Sequence, residues 1–184
     1  IIVLYVLKTR GFMRTVEKVE GIRWAGDNWI PPKLIVGTYQ VKGKIAKDLH
    51  PIEAALLLEM PLQRVVAIML DGLARQKIIE VVKEDPLQIR ILTAGKAEHE
   101  YEELFLRSFD TKGNVLSGLL SDFFEAVLAK LQEKIWDCDV EATKEYYRKM
   151  LEPREETEED RRMPHYWYWT SYRYIYWNPA VYPH

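Results

Sequence analysis

The chain has one cysteine, Cys138, which excludes an internal disulfide and any cysteine-built zinc site within its 184 residues. It also has no long hydrophobic run. The longest, Ile1–Leu7, covers seven residues, about a third of the ~20 that a spanning helix needs. Glycine-rich phosphate loops, a Gly-x-Ser-x-Gly elbow and a His-Glu-x-x-His helix are all absent. The paired acids Glu102–Glu103, Glu155–Glu156 and Glu158–Asp160 lie in charge runs with no cleft signal around them. Cys138 has no partner cysteine and no obvious base nearby, and is read as a bystander. The four histidines, His50, His99, His165 and His184, show no metal-ligand spacing. His99 stands among Glu98, Glu100, Glu102 and Glu103, a set that suits a solvated helix face better than a metal. These absences describe a non-enzyme with no catalytic residue, metal, cofactor or small-molecule substrate expected.

What remains is a composition normal for a folded domain, 48% hydrophobic and 29% charged. Its formal net charge of −2 hides an uneven distribution. Residues 1–47 carry +6, 48–95 carry −2, 96–160 carry −9 and 161–184 carry +3. A nucleic-acid domain concentrates positive charge on its reading element. Here the helical body is acidic, which counts against strong duplex binding.

Four stretches follow from this pattern. Residues 1–47 form an extended basic arm, in which Trp24–Pro32 holds Gly26, Asp27, Asn28 and two prolines that forbid a helix. Leu34–Val41 alternates loosely. Lys8, Arg10 and Arg14 follow the apolar start, an order that suits the cytoplasmic end of a membrane helix as well as a buried strand. A chain that opens on Ile1 is read as a fragment or processed product.

Residues 48–95 predict two helices and a hairpin. Pro51 and Glu53 suit a helix start. A second helix places Leu62, Val65, Val66, Met69, Leu70 and Leu73 on one stripe. Ile79 and Val81, then Leu87, Ile89 and Ile91, alternate around a turn at Lys83–Pro86. This is the winged-helix order, with Leu62–Lys77 in the recognition position.

Residues 96–151 predict a second helical, winged-helix-like module. Tyr101, Leu104, Phe105 and Phe109 form one stripe, and Leu120–Ile135 is the buried face of a long helix that Ser117 caps. Asp139 caps a last helix through Lys149. Residues 152–184 form an acidic linker and a tail holding nine of the 22 aromatics, read as a strand because Tyr172, Tyr174 and Tyr176 alternate with Arg173, Ile175 and Trp177. The expected fold is α+β, mainly α: tandem winged-helix-like modules with a small hairpin wing, an N-terminal arm and an aromatic C-terminal strand.

The stretches LHPIEAALLLEMPLQRVVAIMLDGLARQKIIEVV and EHEYEELFLRSFDTKGNVLSGLLSDFFEAVLAKLQEKI, with Pro31-Pro32 before them, resemble the cytoplasmic part of the YciQ-like predicted membrane proteins. The resemblance spans roughly residues 28–150. It implies membrane attachment through sequence upstream of Ile1, and it brings no known activity and no catalytic residues. The chain departs from it in a first module one helix short and in its tail.

The resulting expectation is a non-enzymatic protein-interaction domain on the cytoplasmic face of a membrane, with a protein partner or self-association. An apolar segment of about 20 residues ending at Ile1–Leu7 in the native gene tests it. Candidate partner contacts are Tyr166, Trp167, Tyr168, Trp169, Tyr172, Tyr174, Tyr176 and Trp177, since Tyr and Trp suit half-wet surfaces. The same tail also suits packing on the chain's own modules. The alternative is a soluble nucleic-acid-binding regulator that reads bases with Gln63, Arg64, Arg75, Gln76 and Lys77. It predicts salt-steep DNA binding lost on Arg64→Ala with Arg75→Ala.

Overall fold

A computed structural model describes residues 34, 37, 39–84, 86–93 and 96–177. Most of the basic arm, including Ile1–Leu7 and Trp24–Pro32, and the last residues with His184 lie outside the described residues. The described elements run α1 (Pro51–Leu57), α2 (Leu62–Arg75), β1 (Ile79–Glu84), β2 (Leu87–Ile91), α3 (Glu100–Arg107), α4 (Ser117–Ile135), α5 (Val140–Met150), α6 (Glu158–Arg162) and α7 (Tyr166–Trp177). The fold is mainly helical with one small antiparallel sheet. Among the described residues no helix is long and apolar enough to cross a membrane.

α1 is short and buried at all seven positions. His50 and Glu53 close a capping box around its first turn, and Pro51 presets its first dihedral. α2, α4, α5 and α7 surround it. α2 is apolar beyond a single stripe: Ala67, Ile68 and Gly72 are buried together with Val65, Val66, Met69, Leu70 and Leu73. A helix covered on more than one side needs a second partner, and α7 supplies it.

β1 and β2 pair in the register Ile79↔Ile91, Val81↔Ile89 and Glu84↔Leu87, with an irregularity between Val81 and Lys83. Helix, helix and hairpin thus follow in the expected order over residues 51–91. Residues 96–151 carry no hairpin of their own among the described residues. Their isolated bridges instead join Phe109 to Val115, and Asn114 to Gln88 of β2. The turn between them is built by Asp110, whose carboxylate accepts from the backbone of Lys112 and Asn114. At Gly113 the chain adopts φ +83°, in contact with the Ile89 carbonyl, where a side chain has no room. The two halves therefore share one core.

Segment 41–49 is stitched to α5. Asp139 caps α5 at Ala142 and also accepts from the Gly43 N–H. The buried Tyr147 hydroxyl accepts from the Leu49 N–H at 3.0 Å and donates to the Ala46 carbonyl at 2.9 Å.

The tail corrects the expected strand: Tyr166–Trp177 is a helix. Tyr168, Trp169, Tyr172 and Ile175 are buried, a helical spacing that gives α7 one core face. Preference of Tyr and Trp for strands reflects packing on a half-buried surface, not the backbone itself. Here the surface on offer is the groove along α2. Tyr168 lies directly over Gly72, whose missing Cβ makes the room, and Trp169 stacks on Tyr147 with ring centroids 5.7 Å apart. The tail is part of this molecule's own core.

Candidate metal centre

Three helix starts meet at one point, and each carries a histidine. His50 precedes α1 and its Nδ1 accepts from the Ile52 N–H at 3.2 Å. His99 precedes α3 and its Nδ1 accepts from the Tyr101 N–H at 3.1 Å. His165 precedes α7, with its carbonyl accepting from the Tyr168 and Trp169 N–H groups and φ at +60°. The ring centroids lie 4.8 Å apart for His50–His99, 4.2 Å for His50–His165 and 5.0 Å for His99–His165. One nitrogen from each ring falls within 4.8 Å of the other two.

Two carboxylates support the cluster, each three residues after its histidine. Glu53 accepts from the His50 N–H at 2.8 Å, the Tyr101 hydroxyl at 2.5 Å and the Lys134 ammonium at 2.8 Å. Glu102 accepts from the Glu98 and His99 N–H groups at 2.8 and 3.3 Å and from the Tyr168 hydroxyl at 2.6 Å. Both acids are buried. Lys134 offsets the charge of Glu53, whereas among the described residues no Lys or Arg pairs with Glu102. Burial beside these carboxylates pushes both phenols, Tyr101 and Tyr168, well above their ordinary range.

His50 is 3% exposed, and its Nε2 is buried with no hydrogen-bond partner among the described residues. Burial, then the neighbouring His165 and His99 and the charge of Lys134, holds its pKa well below the ordinary histidine value. His165 is shifted in the same direction, with burial again the first cause. Neutral imidazole is the form that ligates metals. Three nitrogens 4.8 Å apart leave a central ion about 2.8 Å from each, so bonds of about 2.0–2.1 Å need each ring to move inward by about 0.7 Å or less. The groups fit a divalent transition metal with three protein ligands and an open fourth position.

Beside His99 and His165 opens a cavity of about 300 Å³, also lined by Gln76, Glu98, Glu102, Pro164, Tyr166, Trp167 and Tyr168. Two of the three histidines, His99 and His165, therefore border the cavity.

The residues expected to touch partners are scattered by the fold. Tyr168, Trp169 and Tyr172 are core, Tyr174 and Tyr176 are half-buried, and Tyr166 donates to Glu156 at 2.8 Å. Trp167 is 39% exposed, and the Trp177 side chain lies outside the described residues. Of the candidate base contacts, Arg64 is only 8% exposed and Arg75 pairs with Asp71 at 2.6 Å. Gln76 bonds the Gly72 carbonyl and the Tyr168 hydroxyl, Gln63 is half-buried and Lys77 is exposed. The helix assigned the reading role is covered by α7 along the face that Gly72 marks.

Sequence spacing missed the histidines because 49 and 66 residues separate them. The available signal was a repeated His-x-x-Glu, at His50–Glu53 and His99–Glu102, each at a helix start. Compared with known protein families, curated proteins and solved structures, the chain matches none of them.

Proposed function

We propose that this chain is a metal-binding domain in which His50, His99 and His165 hold one divalent transition-metal ion of the zinc type. The observation that carries this is the convergence of three sequence-distant imidazoles, one nitrogen of each within 4.8 Å of the other two, together with a buried His50 Nε2 that has no hydrogen-bond partner among the described residues.

One local feature opposes it. The capping Nδ1 of His50 and of His99 accepts a backbone N–H, whereas a ligating histidine normally donates from its other nitrogen. Metal at Nε2 therefore requires Nδ1 to take the proton and release its cap. Losing a cap costs about 1 kcal/mol, and two cost about 2. Apparent binding energies of structural zinc sites are about 10–16 kcal/mol. The metal term wins by a wide margin.

Cobalt(II) and zinc(II) titrations of the chelator-treated chain test the proposal, read by visible absorption and calorimetry. One ion per chain is expected, with the Ile52 and Tyr101 amide resonances shifting on loading. His99→Asn and His165→Gln should each weaken binding at least about 100-fold, because each removes one of only three ligands. Asn keeps the helix cap, so His99→Asn separates ligand loss from unfolding. No uptake by the folded chain, or uptake unchanged in the double variant, overturns the proposal.

A protein-contact role has its own support. Val82, Ile91 and Leu92, on the hairpin and at its end, are 47%, 40% and 48% exposed. Exposed large apolar residues favour association where they form a patch. Concentration-dependent sedimentation abolished by Leu92→Lys is expected, and a monomer at all concentrations sinks self-association.

A further inference from the structure

The cavity beside the histidines has walls of two kinds. Pro164, Tyr166 and Trp167 form an apolar and aromatic side, and Glu98 and Glu102 bring two carboxylates, while among the described residues no Lys or Arg lines it. Glu102 is saturated by four donors: the Glu98 and His99 N–H groups, the Tyr168 hydroxyl and the Gln76 amide. Glu98 differs, since its side chain is exposed and, among the described residues, only its backbone N–H is engaged, toward Glu102.

An incoming ligand that completes a three-histidine metal must supply a lone pair to the ion. Anions that do this, such as phosphate or azide, are drawn by the ion's own charge but meet two carboxylates and, among the described residues, no Lys or Arg on the walls, which works against that attraction. A neutral aromatic nitrogen donor meets no such penalty. Its ring can lie against Trp167 and Pro164. If it carries a second ring nitrogen, that N–H can donate to the Glu98 carboxylate, as metal-bound imidazoles donate to acids elsewhere. A volume of about 300 Å³ is at the low end for ligand pockets and favours a small molecule.

We infer that the cavity is a binding site for a small imidazole-type ligand, which binds the metal through one ring nitrogen and donates from the other to Glu98. This rests on the three-histidine metal site proposed above. Glu98 here is a positioning residue and not a metal ligand.

The experiment is a titration of the cobalt(II)-loaded chain with imidazole, azide and inorganic phosphate, followed by the visible cobalt bands. Imidazole is expected to shift the bands at concentrations at least about tenfold below those at which azide or phosphate does. Glu98→Gln should weaken imidazole binding by about tenfold, the scale of lost outer-shell partners, with cobalt affinity unchanged. Cobalt that binds but ignores imidazole overturns the ligand site and leaves the metal site standing. Anions binding as tightly as imidazole, or Glu98→Gln leaving imidazole binding unchanged, also overturn it. Absence of cobalt uptake removes the metal site itself, and this inference with it.

Discussion

Gly72 shows how a single residue couples the core to the candidate site. A Cβ built there lies 2.2 Å from the Tyr168 ring carbons, well inside any tolerated contact. Tyr168 stands three residues after His165 and donates to Glu102, the acid that holds His99. Moving the ring therefore moves two of the three histidines. Gly72→Ala is expected to destabilise the fold by about 1–3 kcal/mol through overpacking, read by urea denaturation. It should also weaken zinc binding, although residue 72 carries no ligand atom. Unchanged stability with unchanged zinc affinity contradicts this packing. Nothing local in the sequence marks Gly72, which reads as an ordinary helical glycine until α7 is laid across it.

At the scale of elements, the starts of α1 and α5 were legible, whereas Ser117, expected to cap α4, is its first residue and Leu116 holds the cap position with no side-chain bond. Pro51 and Glu53 fix the start of α1, and Asp139 caps α5 as its sequence indicates, because caps are local chemistry within four residues. The short helix α6 falls in the stretch expected to be an acidic linker, and it packs against α7. Asp160 closes its capping box with Thr157 and takes a two-pronged bond from Arg154 at 2.8 and 2.5 Å. The Arg154 guanidinium, then the Thr157 donors, hold the Asp160 carboxyl well below the usual carboxylate range. A carboxyl depressed in the folded state contributes stability that is present above its unfolded value near 3.9 and is lost as pH falls toward the folded value. Asp160→Asn is thus expected to lower stability by about 1 kcal/mol at neutral pH, with Arg154 half in solvent. The difference from the parent chain should shrink below about pH 4. Denaturation curves at several pH values check it, and a gap that widens in acid refutes it. The strand expected at 172–177 was misread for a matching reason. Alternation over six residues is a weak signal, and the partner that selects the helical face lies about 100 residues away.

For the whole molecule, the decisive fact is that the tail completes the core. Tyr168, Trp169, Tyr172 and Ile175 are all buried. At about 1.5–3 kcal/mol each, their burial contributes roughly 6–12 kcal/mol, comparable with the total stability of a domain, about 5–15 kcal/mol. A chain ending at Leu151 is accordingly expected to lose cooperative unfolding and near-ultraviolet circular dichroism. Retention of both by residues 39–151 refutes this account and restores a separable tail. The same dependence joins residues 48–95 and 96–151 through shared packing. α2 is covered by α7, and Gln88 of the hairpin bridges to Asn114 in the second half.

The sequence by itself determined the starts of α1 and α5, the apolar stripes of α2 and α4, the hairpin and the exclusion of an internal disulfide by a single cysteine. Each of these is written in neighbours a few residues apart, where propensity, periodicity and capping act. Only the tertiary structure decided that the tail is a core helix, that Arg64 is buried, and that His50, His99 and His165 meet. Those outcomes depend on how separate elements pack. Three imidazoles that are unremarkable in the sequence become a candidate metal centre because packing α1, α3 and α7 brings their N-termini to one point.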